Sequence, residues 1–158
     1  MKKLLLLLLC VPMIGLGQDK EPENMKGMLD THNEYRSELG IPDLVWCNKL
    51  AKSSQSWANK LKRRGCEMEH DPNSKYGENL AWNSGYNETP KGVVDRWCSE
   101  KKYFNYKTKK YNSRAGHYTQ VIWRGTKKVG CALVQCGKEQ IWVCRYDPPG
   151  NWVNSPAY

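Results

Sequence analysis

The stretch GHYTQVIW, residues 116–123, and the stretch CRYDPPGNW, residues 144–152, together decide the fold of this chain. The first alternates in the manner of a β-strand and carries a histidine, His117, near its start. The second is the end of a strand that runs into a turn, because two consecutive prolines fix φ and the following glycine releases it. Two shorter motifs precede them, HNEYR at residues 32–36 and GENL at residues 77–80. The four motifs extend in this order over nearly the whole chain, so we interpret them together.

The N-terminus has the pattern of a secretory signal peptide. Two lysines precede an apolar run from Leu4 to Leu16, and the sequence GLG that ends this region predicts cleavage before Gln18. The run is shorter than the roughly 20 residues of a membrane span, which argues against the alternative of an uncleaved anchor. We therefore expect residues 1–17 to be removed and residues 18–158 to form a secreted, extracellular domain with no transmembrane segment.

The cysteine count supports secretion. Cleavage removes Cys10 and two lysines, so six cysteines remain and the formal net charge falls from +9 to +7. An even number of cysteines on a secreted chain indicates disulfides, and the alternative of a thiolate zinc site lacks any Cys-x-x-Cys pair. The mature length suits one domain with a single core.

Hydrophobic periodicity predicts three helices and three strands. The helices are expected over residues 24–39, 47–64 and 90–103, the last with Thr89 as its N-cap and a proline at its first position. Strands are expected over residues 117–123, 129–135 and 140–146, and in the first of these His117, Thr119, Val121 and Trp123 share one face. Helices interleaved with a small antiparallel sheet define an α+β protein.

The second and third of these strands flank CGKE, residues 136–139, which is a hairpin signal. If the hairpin is centred between Gly137 and Lys138, Cys131 and Cys144 lie directly opposite each other. Directly opposed residues are within disulfide reach, so we predict a Cys131–Cys144 bond.

The four motifs resemble those of the CAP superfamily, which contains the cysteine-rich secretory proteins, antigen 5 and the plant pathogenesis-related 1 proteins (the SCP domain). The resemblance implies a three-layer α-β-α sandwich, stapled by disulfides, with helices on both faces of the sheet. It also implies a Cys66–Cys136 bond, which is shared with the plant members. Cys47 and Cys98 then remain, and we predict a third bond between the second and third helices, specific to this protein.

The resemblance further implies a central cleft in which two histidines and two glutamates converge. In this sequence the matching positions are His70, Glu78, Glu100 and His117. One observation on the residues themselves agrees: Glu100 shares a helix face with the apolar Trp97, and an inward carboxylate is costly unless it is paired or bound to a metal. Two departures from the family pattern lie nearby, Arg145 where asparagine is usual and Asp71 where serine often follows the histidine.

The four cleft residues suit several chemistries. Two imidazoles and a carboxylate can bind zinc or another divalent ion, with water at an open position. The alternative is a metal-dependent hydrolase with Glu78 or Glu100 as general base, although the chain has neither H-E-x-x-H nor G-x-S-x-G. A further alternative is a metal-free network that orders the cleft of a secreted defence-type scaffold. The third histidine, His32, lies among apolar residues, and we expect it to be a buried structural residue that is hydrogen-bonded to the backbone or to Asn33 and Arg36.

We call residues 101–114 the basic aromatic loop, because they contain cations and aromatics but no acidic residue. The spacing of Phe104, Tyr106 and Tyr111 resembles the caveolin-binding-type motif with which some CAP proteins bind sterols and related lipids. The cations of the loop, which include Lys107, Lys109 and Lys110, suit an anionic glycan or a membrane surface. An extracellular protein is another partner class, whereas nucleic acid is not expected for a secreted chain. The alternative is a solvated loop whose tyrosines pack onto the domain.

Overall fold

A computed structural model describes residues 19–158 of the chain. The predicted signal peptide, residues 1–17, lies outside the described residues. Among residues 19–158, no helix combines the length and apolar character that crossing a membrane requires.

The described chain contains four α-helices and four strands. The helices are α1 (Met28–Ser37), α2 (Asn48–Arg63), α3 (Pro90–Cys98) and α4 (Gly116–Val121). Short 3-10 helices occupy Glu23–Met25, Ser99–Tyr103 and Ser113–Ala115. The strands are β1 (Val45–Trp46), β2 (Gly77–Ser84), β3 (Lys128–Cys136) and β4 (Glu139–Asp147).

The sheet has the order β1-β3-β4-β2, and only the short β1 runs parallel to its neighbour. The β3–β4 hairpin has the predicted register, with Cys131 directly opposite Cys144. Strand β2 was not predicted. It contains glycine and two asparagines, which have low strand propensity, and its pairing with β4 along eight positions stabilises it.

Helices cover both faces of the sheet, as the resemblance implied. On β4, Ile141 and Val143 join the apolar residues of α2 in one cluster. The alternate residues Trp142 and Tyr146 join the residues of α1, α3 and α4 in a second, larger cluster on the other face. The period of two along β4 thus divides the core into two layers of side chains, and the α+β sandwich is confirmed.

The prediction of a strand over residues 117–123 is wrong, because Gly116–Val121 forms α4. Four consecutive residues of this helix are buried, from Tyr118 to Val121. A helix that is buried on most of its circumference has no amphipathic period. Its sequence, which contains β-branched residues, therefore has the pattern expected of a strand.

Two helix boundaries also differ from the predictions. The α-helical part of the first helix begins only at Met28, because Gly27 before it has a left-handed φ of 90°. The third helix changes to 3-10 geometry after Cys98, and this 3-10 segment continues to Tyr103.

Two disulfides are present, Cys66–Cys136 and Cys131–Cys144, and both are predicted pairs. The predicted Cys47–Cys98 bond is wrong, because both of these cysteines are free. Cys47 precedes α2 and donates its backbone N–H to Val129 of β3, whereas Cys98 ends α3 within the cluster on the opposite face. The sheet therefore separates the two thiols.

Candidate functional site

Glu100 and His117 form the first of two histidine–glutamate pairs. Glu100 lies on the 3-10 helix that follows α3, and His117 is the second residue of α4. The Nδ1 atom of His117 donates to Oε1 of Glu100 at 2.7 Å, and the backbone N–H of His117 donates to Oε2 at 2.9 Å. The imidazole also stacks on the indole of Trp97, with ring centroids 6.1 Å apart. These contacts fix the ring and leave Nε2 as its free nitrogen.

His70 and Glu78 form the second pair. His70 lies in the loop after α2, and Glu78 lies on the edge strand β2. The Nδ1 atom of His70 donates to Oε1 of Glu78 at 2.8 Å, and the same oxygen accepts the backbone N–H of Asp71 at 3.1 Å. The imidazole is 65% exposed, whereas the carboxylate is only 6% exposed. This hydrogen bond to Glu78 raises the pKa of His70 above its ordinary value.

Arg145 supports the second pair from the neighbouring strand. It lies directly opposite Glu78 in the β2–β4 ladder, with Nη2 3.5 Å from Oε2 of Glu78. The same nitrogen forms an ion pair with Asp71. The two departures from the family pattern, Asp71 and Arg145, are therefore in contact with each other.

One cleft of about 210 Å³ brings both pairs together. It is lined by all four predicted site residues and also by Asn79, Tyr111, Ser113, Gly116 and Asn151. Because Glu78 and Asn79 are consecutive on β2, their side chains point to opposite faces of the sheet. The cleft therefore surrounds the end of the edge strand, with one histidine pair on each side.

The motif around residue 150 closes the cleft against α4. The amide of Asn151 donates to the carbonyl of Gly116, and its Oδ1 accepts the hydroxyl of Thr119 at 2.7 Å. A Cβ at Gly150 would lie 2.6 Å from Cγ of Trp123, so only glycine allows this approach. The stretches GHYTQVIW and CRYDPPGNW are thus joined at the site, although α4 is a helix.

His32 lies outside the cleft, and its ring is fully buried as expected. Its Nδ1 donates to the carbonyl of Met28 at 2.7 Å, so in the neutral ring Nε2 is the acceptor of the Tyr146 hydroxyl at 2.8 Å. Asn79 donates to the oxygen of the same hydroxyl. Tyr146 is a partner that sequence reasoning missed, and the expected side-chain partners Asn33 and Arg36 bond elsewhere. Asn79 also donates to the carbonyl of His117 at 3.1 Å, so this network reaches the cleft.

The four predicted residues do not form a ready cluster of metal ligands. Among residues 19–158, no three His, Cys, Asp or Glu side chains are placed to hold one ion. Each glutamate accepts a hydrogen bond from a histidine, so the four side chains form two separate pairs. The donor set still suits a metal, because histidine ligands commonly donate their other ring N–H to a carboxylate, which orients the ring. The two Nε2 atoms are therefore the candidate ligands, and the glutamates orient them.

The basic aromatic loop does not present its three aromatics as one surface. Phe104 is buried, with edge contacts to Tyr106 and Tyr118. Tyr111 lines the cleft instead, and its backbone N–H donates to Ser155 of the C-terminal segment. The ammonium group of Lys109 lies 4.1 Å from the ring centre of Tyr158. The lipid-type spacing in the sequence therefore includes a core residue, whereas most of the loop, including Tyr106, Lys107 and Lys110, is exposed.

Comparison with known proteins agrees with the fold and the motifs. The sequence pattern of the cysteine-rich secretory protein (CAP) family matches residues 29–146. The chain is 41% identical over 133 residues to pathogenesis-related protein 1C of Nicotiana tabacum, covering 82% of this chain and 78% of that protein. It is 39% identical over 140 residues to pathogenesis-related protein 1 of Arabidopsis thaliana, covering 88% of this chain and 85% of the relative.

The fold also matches solved structures. The crystal structure of NaASP2 with Zn²⁺ superposes with a TM-score of 0.74 at 22% identity, covering 91% of this chain and 88% of that one. The structure of BmVAL-1 gives the same TM-score at 23% identity, covering 90% of this chain and 85% of BmVAL-1. The family pattern over residues 29–146 and the plant relatives show that the chain belongs to the CAP family, and its relatives include plant pathogenesis-related 1 proteins.

Proposed function

We propose that this protein is a secreted CAP protein whose cleft binds one divalent metal ion, zinc in the first instance, through Nε2 of His70 and of His117. One observation carries the proposal: each imidazole donates a hydrogen bond from Nδ1–H to a glutamate, at 2.8 Å for His70 and 2.7 Å for His117. Such a bond fixes the tautomer, orients the ring and raises the basicity of the other nitrogen. When bound, the ion would supply a Lewis acid with open positions for an oxygen ligand.

The roles of the glutamates favour binding over hydrolysis. Oε1 of each glutamate accepts a histidine Nδ1–H, and Oε2 of Glu100 accepts a backbone N–H. A general base must be free to take a proton from a bound water. Both oxygens of Glu100 are therefore engaged. Oε2 of Glu78 has no hydrogen-bond partner among residues 19–158, but it is buried, with Nη2 of Arg145 3.5 Å away, so it is not exposed to a bound water. The geometry thus favours binding over the hydrolase alternative.

Two similarities support the proposal. The family is described as one of secretory proteins, and the basic, cysteine-containing mature chain fits that description. NaASP2, a protein of the same fold, has been crystallised with Zn²⁺, which makes zinc the first ion to test.

Calorimetric titration with Zn²⁺ tests the metal site. Metal-free protein beginning at Gln18 is compared with a His70→Ala/His117→Ala variant. The expected result is about one ion per chain, with binding lost in the variant. An Asn59→Ala/Lys138→Ala variant, with both changes at exposed positions outside the cleft, is the matched control and should bind as the parent does. Absence of binding by the parent, or equal binding by the histidine variant, would leave the pairs as an ordering network and favour the scaffold alternative.

A further inference from the structure

A second polar cavity lies on the face of the sheet that α2 covers. It has a volume of about 290 Å³ and is enclosed by α2, by the loop after His70 and by Arg145 of β4. The volume is near the lower end of the range for small-molecule sites, roughly 300–1,000 Å³, so it suits one charged group with a small carbon skeleton. No residue of this cavity lines the cleft described above.

The cavity carries an excess of positive charge. Three cations line it, Lys60, Arg63 and Arg145, against one carboxylate, Asp71, which is already paired with Arg145. Lys60 and Arg63 are three residues apart on α2, so they share a face of the helix. Neither has an ion-pair partner among residues 19–158. Their charges are therefore free to act on a ligand.

The remaining polar groups are suited to donate hydrogen bonds. The oxygen of Ser53 accepts from Nη1 of Arg145 at 2.6 Å, so its own hydroxyl proton can be offered to a ligand. Ser56 and Asn73 add a hydroxyl and an amide to the lining. Arg145 is buried, and its Nε has no hydrogen-bond partner in the described chain. A buried guanidinium with an unused donor is costly, and an anion nearby would offset that cost.

We propose that this cavity binds a tetrahedral oxyanion, the sulfate or phosphate group of an ester. Such a group presents several acceptor oxygens and no donor, which matches the cations, hydroxyls and amide of the lining. The one carboxylate of the lining, Asp71, is paired with Arg145. The charge excludes a divalent cation at the same place. The site uses neither histidine of the cleft, although Arg145 and Asp71, which line it, also contact Glu78 of the second pair.

The probes for this site are inorganic sulfate, inorganic phosphate, glucosamine 6-sulfate and glucose 6-phosphate, with glucose as the neutral control. Each is titrated into ¹⁵N-labelled protein in EDTA, and binding is followed by amide chemical-shift changes. Because metal is absent, failure of the zinc proposal leaves this experiment unaffected. Binding of either ester, with shifts around Ser53 and Asn73, supports the site, and the tighter ester identifies its source as a sulfated sugar or a phosphate monoester.

Two charge-matched variants decide whether the ester binds in the cavity or binds only because the protein is basic. Lys60→Gln/Arg63→Gln removes the two free cations of the cavity and should weaken ester binding about tenfold or more. Lys62→Gln/Arg64→Gln removes two exposed cations at the end of α2 and just after it, outside the cavity, and Arg64 is paired there with Glu69. This variant should change affinity less than about twofold. Equal loss in the two variants, or no binding of any anion by the parent, would overturn the proposal.

Discussion

Glu100 holds both the ring and the backbone of His117, since Oε1 accepts Nδ1–H at 2.7 Å and Oε2 accepts the backbone N–H at 2.9 Å. The two oxygens of one carboxylate thus join the 3-10 helix after α3 to the first turn of α4. This pairing explains how an acidic side chain that faces inward is tolerated, because both oxygens have partners. It also makes the direction of Nε2 depend on a residue that need not contact the metal.

Glu100→Gln therefore tests orientation separately from ligation. The two donors of His117 bind different oxygens of Glu100, and in glutamine one of these oxygens becomes an NH₂ group that cannot accept. One of the two contacts is therefore lost, and the ring is held less firmly. We expect zinc affinity to fall about 10- to 100-fold, which is the usual effect of removing the partner of a metal-bound histidine. Calorimetry measures the affinity, and the exposed Glu67→Gln is the control for the lost charge. Unchanged zinc affinity in Glu100→Gln would contradict the orienting role.

Arg145 and Asp71 provide a second prediction, because both depart from the family pattern and are in contact. Arg145→Asn leaves the carboxylates of Asp71 and Glu78 without their guanidinium, and both are largely buried. We expect the free energy of unfolding to fall by about 3 kcal/mol, as for other broken buried pairs. Adding Asp71→Ser should recover about 1 kcal/mol or more, since residues in one network are not additive.

Urea unfolding of the two single variants and of the double variant gives the coupling energy between Asp71 and Arg145. The exposed pair Arg64–Glu69, with an N–O distance of 2.9 Å, is the matched control. Its coupling should stay below about 1 kcal/mol, because solvent screens both charges. Equal coupling energies for the two pairs would mean that burial at Arg145 has no energetic consequence.

The two free thiols provide a third prediction. Cys98 is fully buried, and burial raises the pKa of its thiol well above the ordinary value, whereas Cys47 is partly exposed. Because the thiolate is the reactive form, iodoacetamide should modify Cys47 first in the native protein that begins at Gln18. Cys98 should react only after the protein has been unfolded, and reductant is left out so that the two disulfides stay closed. Peptide mass spectrometry locates the labels, and a Cys47–Cys98 disulfide in the native protein would contradict the structure.

The correct and the wrong predictions from sequence have a common physical basis. The β3–β4 hairpin was predicted with its register because both signals are local: alternation along each strand and turn residues between them. The sequence 117–123 was wrongly predicted as a strand, because α4 is buried on most of its circumference and the apolar pattern loses its helical period. Strand β2 was missed because its pairing with β4, and not its own composition, determines its conformation.

The candidate site was predicted as a set of residues but not as an arrangement. Motif resemblance identified His70, Glu78, Glu100 and His117, and the structure places them in one cleft. Their division into two hydrogen-bonded pairs depends on where β2 begins relative to α4, which is a long-range property of the fold. The contact of Arg145 with Glu78 is also a long-range property, since it depends on the register between β2 and β4. Sequence spacing holds no information on either.

His32 provides the fourth prediction, which concerns pH. Burial lowers the pKa of His32 to about 4 from an ordinary value of 6.5, because the protonated ring would lose its hydration, and the positive charge of Arg36 lowers it further. Between these two values the unfolded chain binds a proton that the native protein does not. Stability therefore falls as the pH decreases from about 6.5 towards 4, by about 3 kcal/mol for this group.

Urea unfolding at intervals between pH 7.5 and pH 4 measures this slope. In His32→Gln the group cannot titrate, so the variant should be less stable than the parent at pH 7.5 and should approach it as the pH falls. His70→Gln is the control with the opposite sign, because the pKa of His70 is raised and its protonated form stabilises the native state at low pH. Removing His70 should therefore steepen the loss of stability on acidification. Parallel curves for the parent and His32→Gln would show that folding does not lower the pKa of His32, which would contradict this prediction.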